Sequence, residues 1–66
     1  MPDAMPDLAA RYELCDTRVT LDGKPAKIGG ARNEFATVRL IRSGLSAEFA
    51  WPTVARIVAR GGEFKS

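Results

Sequence analysis

The chain reads as mainly β with one short α-helix: a small barrel, or a strongly bent antiparallel sheet of four to five strands, with the helix over residues 52–60. Three observations predict this class. Apolar and polar residues alternate through "TRVTL", "PAKI", "FATVRL" and "AEFAW", the period of two expected of half-buried strands. Asp22-Gly23, Gly29-Gly30 and Ser43-Gly44 punctuate those runs with turn residues. After Trp51 the spacing changes: Val54, Ile57 and Val58 fall on one stripe of a helix.

Residues 1–16 form an acidic N-terminal arm, loose or a short helix, ahead of a barrel-like domain over residues 17–66. Pro2 and Pro6 discourage regular structure in residues 1–6. From Asp7, "DLAARYEL" can make about two helical turns, with Asp7 as the cap and Leu8, Arg11 and Tyr12 on one face. Next, Val19 and Leu21 alternate with Arg18 and Thr20, and Ala26 and Ile28 flank Lys27. Asp22-Gly23 is a strong hairpin signal. A two-residue loop there would set Arg18 opposite Lys27, and like charges facing across a ladder destabilise it. The expected register is therefore the looser one, pairing Leu21 with Ala26 and Val19 with Ile28. Gly29-Gly30 is expected as a bulge or bend, because a phosphate-cradling loop normally has a longer glycine pattern leading into a helix.

The second hairpin is expected to turn at Ser43-Gly44, so that Leu40 faces Ala47, Val38 faces Phe49 and Ala36 faces Trp51. Arg39 and Glu48 then pair on the wet side, and a slip of one residue would push Glu48 into the core. Pro52 suits the first turn of the following helix and Gly61 the position just past its end. Phe64 in "EFK" is expected to turn inward on a last short strand. A rival parse makes residues 46–60 one helix capped by Ser46, like the start of a ribbon-helix-helix DNA binder. Pro52 inside that helix would cost about 3 kcal/mol, which disfavours it.

A chain of 66 residues is small for a self-sufficient core. Below about 70–80 residues a single core rarely supplies more than about 3–5 kcal/mol, so small chains usually need a staple. One cysteine cannot form an intrachain disulfide, and with no histidine a structural zinc site is out of reach. Association, as a homo-oligomer or with a partner, is the expected remedy. Cys15 is expected to be a small, partly buried hydrophobe, and an unpaired thiol suits a cytoplasmic location. Neither a signal peptide nor a membrane span is legible, so no membrane association is expected.

Charge is unevenly divided. Residues 1–16 carry four acids against one arginine, a net −3, while residues 17–66 carry nine cations against four acids, a net +5. Such a split hints at nucleic-acid contact. Catalytic chemistry finds little support: histidine is absent, and Asp16, Asp22, Glu34, Glu48 and Glu63 lie in separate elements with no paired spacing. An enzyme is not expected, and neither is a metal or cofactor.

The element order resembles the general SH3-like small barrel, a resemblance of architecture that implies no particular function. On the expected wet face lie Arg18, Thr20, Lys27, Phe35, Thr37, Arg39 and Glu48. Cations beside an outward aromatic are the ingredients of a single-strand nucleic-acid platform. The primary expectation is a small accessory binding protein, self-associating, that contacts nucleic acid. Arg18, Lys27, Arg39, Arg56 and Arg60 would meet phosphates, with Phe35 as a stacking surface. The alternative is a protein-interaction module, an inhibitor or adaptor, docking through Phe35, Ile41 and a sheet edge, the same two residues that an oligomer interface would use.

Overall fold

A computed structural model describes residues 5–66. Its elements run α1 (Leu8–Cys15), β1 (Val19–Leu21), β2 (Lys24–Gly29), β3 (Phe35–Leu40), β4 (Ser46–Ala50), α2 (Trp51–Ala59) and β5 (Glu63–Phe64). The five strands form one sheet in the order β4-β3-β2-β1-β5, curled into a half-barrel. The fold class is as expected, with one refinement. The sheet is mixed, because β5 returns through α2 and pairs parallel to β1, Thr20 with Glu63 and Leu21 with Phe64. The expected loose residues 1–4 lie outside the described residues.

Asp7 caps α1 as its side chain predicts, accepting from the Ala10 N–H at 2.8 Å. A helix this short is marginal alone. It is held here by contact with the body: Leu14 and Cys15 pack on the core, and the Arg32 Nε–H donates to the Tyr12 hydroxyl at 2.8 Å.

The first hairpin corrects the expected register. Val19 pairs with Ala26, Thr20 with Pro25 and Leu21 with Lys24, around the tight turn of Asp22 (φ 53°) and Gly23 (φ 79°). Two central residues with positive φ make a turn whose twist matches that of the strands. The feared apposition of Arg18 and Lys27 never enters the ladder, since β1 begins at Val19. Pro25 fits as well: the pair after a two-residue turn is not hydrogen-bonded, so its missing N–H forfeits nothing to β1. The Asp22 carboxylate also accepts from the Ser66 hydroxyl at 2.6 Å and the Ser66 N–H at 3.1 Å, which holds its pKa below the ordinary carboxylate range.

The second hairpin is displaced in the same way. Ala36 pairs with Phe49, Thr37 with Glu48, Val38 with Ala47 and Arg39 with Ser46. The turn is the four-residue loop 41–44, closed by Leu40 N–H to Leu45 C=O at 2.7 Å and Gly44 N–H to Leu40 C=O at 3.0 Å. Arg39 and Glu48 are therefore not cross-strand partners. Trp51 leaves the ladder and begins α2, with Pro52 in the first turn. The single-helix parse of residues 46–60 is excluded, because residues 46–50 are a strand.

The core lies on the concave side. Val19, Leu21, Ala26, Ile28, Ala36 and Val38 from the sheet meet Trp51 and Val54 from α2 and Phe64 from β5. Every second residue of each strand faces in, as the alternation requires. Phe49 and Phe64 come from the two outermost strands, and their rings meet edge to face with centroids 5.0 Å apart. That contact draws the half-barrel together. Gly62 lets β5 approach β1 closely: at φ 75°, a Cβ there would lie 3.1 Å from Val19 Cγ1 and 3.4 Å from the Arg18 carbonyl oxygen. The Gly62 N–H returns to the Ile57 C=O at 2.9 Å and the Gly61 N–H to the Val58 C=O at 3.2 Å, ending α2 as a glycine cap should.

Candidate functional site

The convex face of the sheet carries the residues that point away from the core, and the ladders fix their neighbours. Lys27 lies directly opposite Arg39, which in turn lies opposite Ser46. One step along, Thr37 sits between Gly29 and Glu48. A further step reaches Phe35, paired with Ala50. Just beyond the β2–β3 ladder, the Ile41 N–H donates to the Pro25 C=O at 3.1 Å. Alternating from there, Lys27/Arg39 and Gly29/Thr37 are hydrogen-bonded pairs, with Cα atoms about 5.5 Å apart.

Two cations directly opposed across a ladder repel each other. Arg18 adds to them, because it lines a shallow hollow that Lys27 also lines, with Thr20, Ile41, Gly62 and Glu63. On the other side of Lys27 lies a second hollow, lined by Lys27, Gly29, Gly30, Asn33, Thr37 and Arg39. Lys27 therefore stands between two hollows in a row of three cations. Asp16 and Glu63 in the first hollow and Glu48 beside Thr37 temper this field without entering the second hollow.

The fold brings together only part of the expected site. Arg18, Lys27 and Arg39 share the convex face. Phe35 is 47% exposed on that face, two residues and about 7 Å from Thr37. Arg56 lies in α2 and Arg60 caps its C-terminus, and since Trp51 and Val54 of that helix face the core, both stand in the other layer. The Arg56 guanidinium donates to the Thr53 hydroxyl at 3.5 Å. Neither lines the hollows beside Lys27.

Ile41 is exposed, as expected, at 60%. It is joined by Leu45 at 69%, and the two share a groove with Lys24, Pro25, Leu40, Arg42 and Ser43. Leu45 escapes a reading with the turn at Ser43-Gly44. Once the loop is recognised as residues 41–44, Leu45 stands across its base from Leu40. Asn33 is also absent from the expected site, since nothing in "ARNE" marks it as sharing a hollow with cations of two strands.

Cys15 is half-buried against the core. Burial, with the Asp16 charge second, pushes its thiol pKa up, which suits an inert side chain. Among the described residues no group of three or more His, Cys, Asp or Glu could hold a metal ion. No described helix is long and apolar enough to cross a membrane. Comparison with protein-family models, curated proteins and solved structures finds no match to this chain.

Proposed function

We propose that this protein is a small, non-enzymatic accessory binding protein that holds nucleic acid on the convex face of its sheet. The observation that supports this reading is the direct opposition of Lys27 and Arg39, with Arg18 sharing a hollow with Lys27. In the free protein that opposition costs stability. A polyanion laid along the row turns the same repulsion into attraction and releases its own counterions. Phe35 then offers a ring to a neighbouring base.

Neutralising three phosphates on a single strand gives a slope of about −2 in log affinity against log salt. Anisotropy of a labelled oligothymidylate should therefore show affinity falling about tenfold between 50 and 150 mM salt. Absence of binding at 50 mM, or binding indifferent to salt, overturns the reading. RNA and duplex DNA run in parallel rank the nucleic-acid classes.

A second surface favours contact with protein, including a second copy of this chain. Ile41 and Leu45 are more than half exposed beside Pro25, and large apolar side chains grouped in so small a domain mark contact surfaces. If they carry self-association, Leu45→Ser shifts the sedimentation profile toward monomer while leaving oligonucleotide binding unchanged. An identical profile for variant and parent rejects this surface as the self-contact.

A further inference from the structure

Lys27, Asn33, Thr37 and Arg39 line the second hollow together with Gly29 and Gly30, where the ladder sets Lys27 opposite Arg39 and Gly29 opposite Thr37. The chemistry of this lining is one-sided. Lys27 brings a three-donor ammonium, Arg39 a planar fork of five donors, Asn33 an amide NH2 and Thr37 a hydroxyl. No carboxylate lines it. Among the described residues, no hydrogen bond or ion pair occupies any of these four side chains. Donors of this number and sign, with no carboxylate among them, suit an oxyanion such as a phosphate group.

The backbone of Asn33 is anchored on both sides. The Asn33 N–H donates to the Gly30 C=O at 2.8 Å, and the Asn33 C=O accepts from the Trp51 Nε1–H at 2.9 Å. The corner is thus pinned to the largest fully buried side chain of the core. Gly30, at φ 77°, leaves room for the Asn33 amide nitrogen, which would lie 2.9 Å from any Cβ placed there.

We infer that the hollow between Lys27, Asn33, Thr37 and Arg39 seats one phosphate group, with the attached nucleoside extending along β3 toward Phe35. Thr37 and Phe35 point to the same face about 7 Å apart, close enough for a base beside the seated phosphate to reach the ring. Identifying that phosphate as part of a nucleic acid rests on the function proposed above. The seat itself rests on its lining alone.

The test uses the full chain at low ionic strength. Inorganic phosphate, thymidine 5′-monophosphate and oligothymidylate are titrated separately into 15N-labelled protein, with chloride as the control. The expected result is that phosphate, and not chloride, moves the Asn33 side-chain NH2 signals and the Gly30 and Thr37 amides. Thr37→Val and Asn33→Ala each weaken oligothymidylate binding about tenfold, the loss of one hydrogen bond to a charged group. Their salt slope stays unchanged because no charge is removed. Lys27→Ala lowers the slope by about one phosphate instead.

If phosphate leaves those signals unmoved and Thr37→Val binds oligothymidylate like the parent, the seat is overturned and the nucleic-acid reading survives as a diffuse charge effect. If inorganic phosphate and the mononucleotide shift the signals while the oligonucleotide does not bind, the seat stands as a phosphomonoester site and the nucleic-acid reading falls.

Discussion

Replacing Trp51 with alanine is expected to leave the chain unfolded at room temperature. Trp51 is fully buried at the start of α2, where the inner faces of the sheet and the helix meet. Truncating such a side chain costs about 3–5 kcal/mol. A core in a chain this short supplies about 3–5 kcal/mol in all, so the loss matches the whole reserve. Two further contacts disappear with the ring: the bond from Nε1–H to the Asn33 C=O and the Arg11 guanidinium 5.9 Å from the ring centroid. Far-UV circular dichroism should show no cooperative thermal transition. Trp51→Phe separates the terms, since it keeps most of the apolar volume and loses the hydrogen bond. That variant should remain folded and be weaker by about 1–2 kcal/mol. A cooperative melt of the alanine variant within about 1 kcal/mol of the parent would show that the core is organised around some other residue.

Arg39→Glu is expected to move stability and binding in opposite directions. Facing Lys27, a carboxylate replaces repulsion by attraction, a swing of about 1 kcal/mol across one cross-strand pair. In a domain this size that raises the melting temperature by about 4–8 °C. The same change removes one phosphate contact and adds a repulsive charge in the row, so oligonucleotide affinity falls at least about tenfold at low salt. A purely structural role for Arg39 predicts no loss of binding, and a stabilising role predicts a lower melting temperature. Either result rejects the proposed use of the row.

The alternation of the strands decided which side chains face inward, and the structure agrees at every strand. Register was harder. In both hairpins the observed pairing differs from the expected one by two residues, a displacement that returns each side chain to the same face. Hydrophobic pattern is blind to such a shift, whereas a slip of one is visible at once. The choice then falls to turn chemistry and to single charges. At Asp22-Gly23, repulsion between Arg18 and Lys27 was weighed against a tight turn, yet β1 stops before Arg18 can take part. At the second turn, a two-residue turn at Ser43-Gly44 sets the expected register, whereas the chain uses the four-residue loop 41–44, and Trp51 leaves the ladder to begin α2. The basic face was legible because it follows from parity alone. The apposition of Lys27 with Arg39 was not, because it joins two strands whose mutual register no local turn announces. Asn33 is anchored at the hollow by its backbone bonds to Gly30 and to Trp51, the second a tertiary contact without a sequence signature.

The parallel pairing of β5 with β1 has a consequence for how the chain is made. The outer edge of β1 is completed only by the Gly62 and Phe64 carbonyls, which accept from Thr20 at 2.9 Å and Asp22 at 2.8 Å. Phe64 also supplies the ring that meets Phe49. β1 thus waits for residues well beyond it in the chain, on the far side of both hairpins and α2, to emerge from the ribosome. Until then the two hairpins can form locally, but the aromatic closure cannot. Such long-separated pairing slows folding, so the apolar face of the sheet stays open until residues 62–64 have been made and can reach β1.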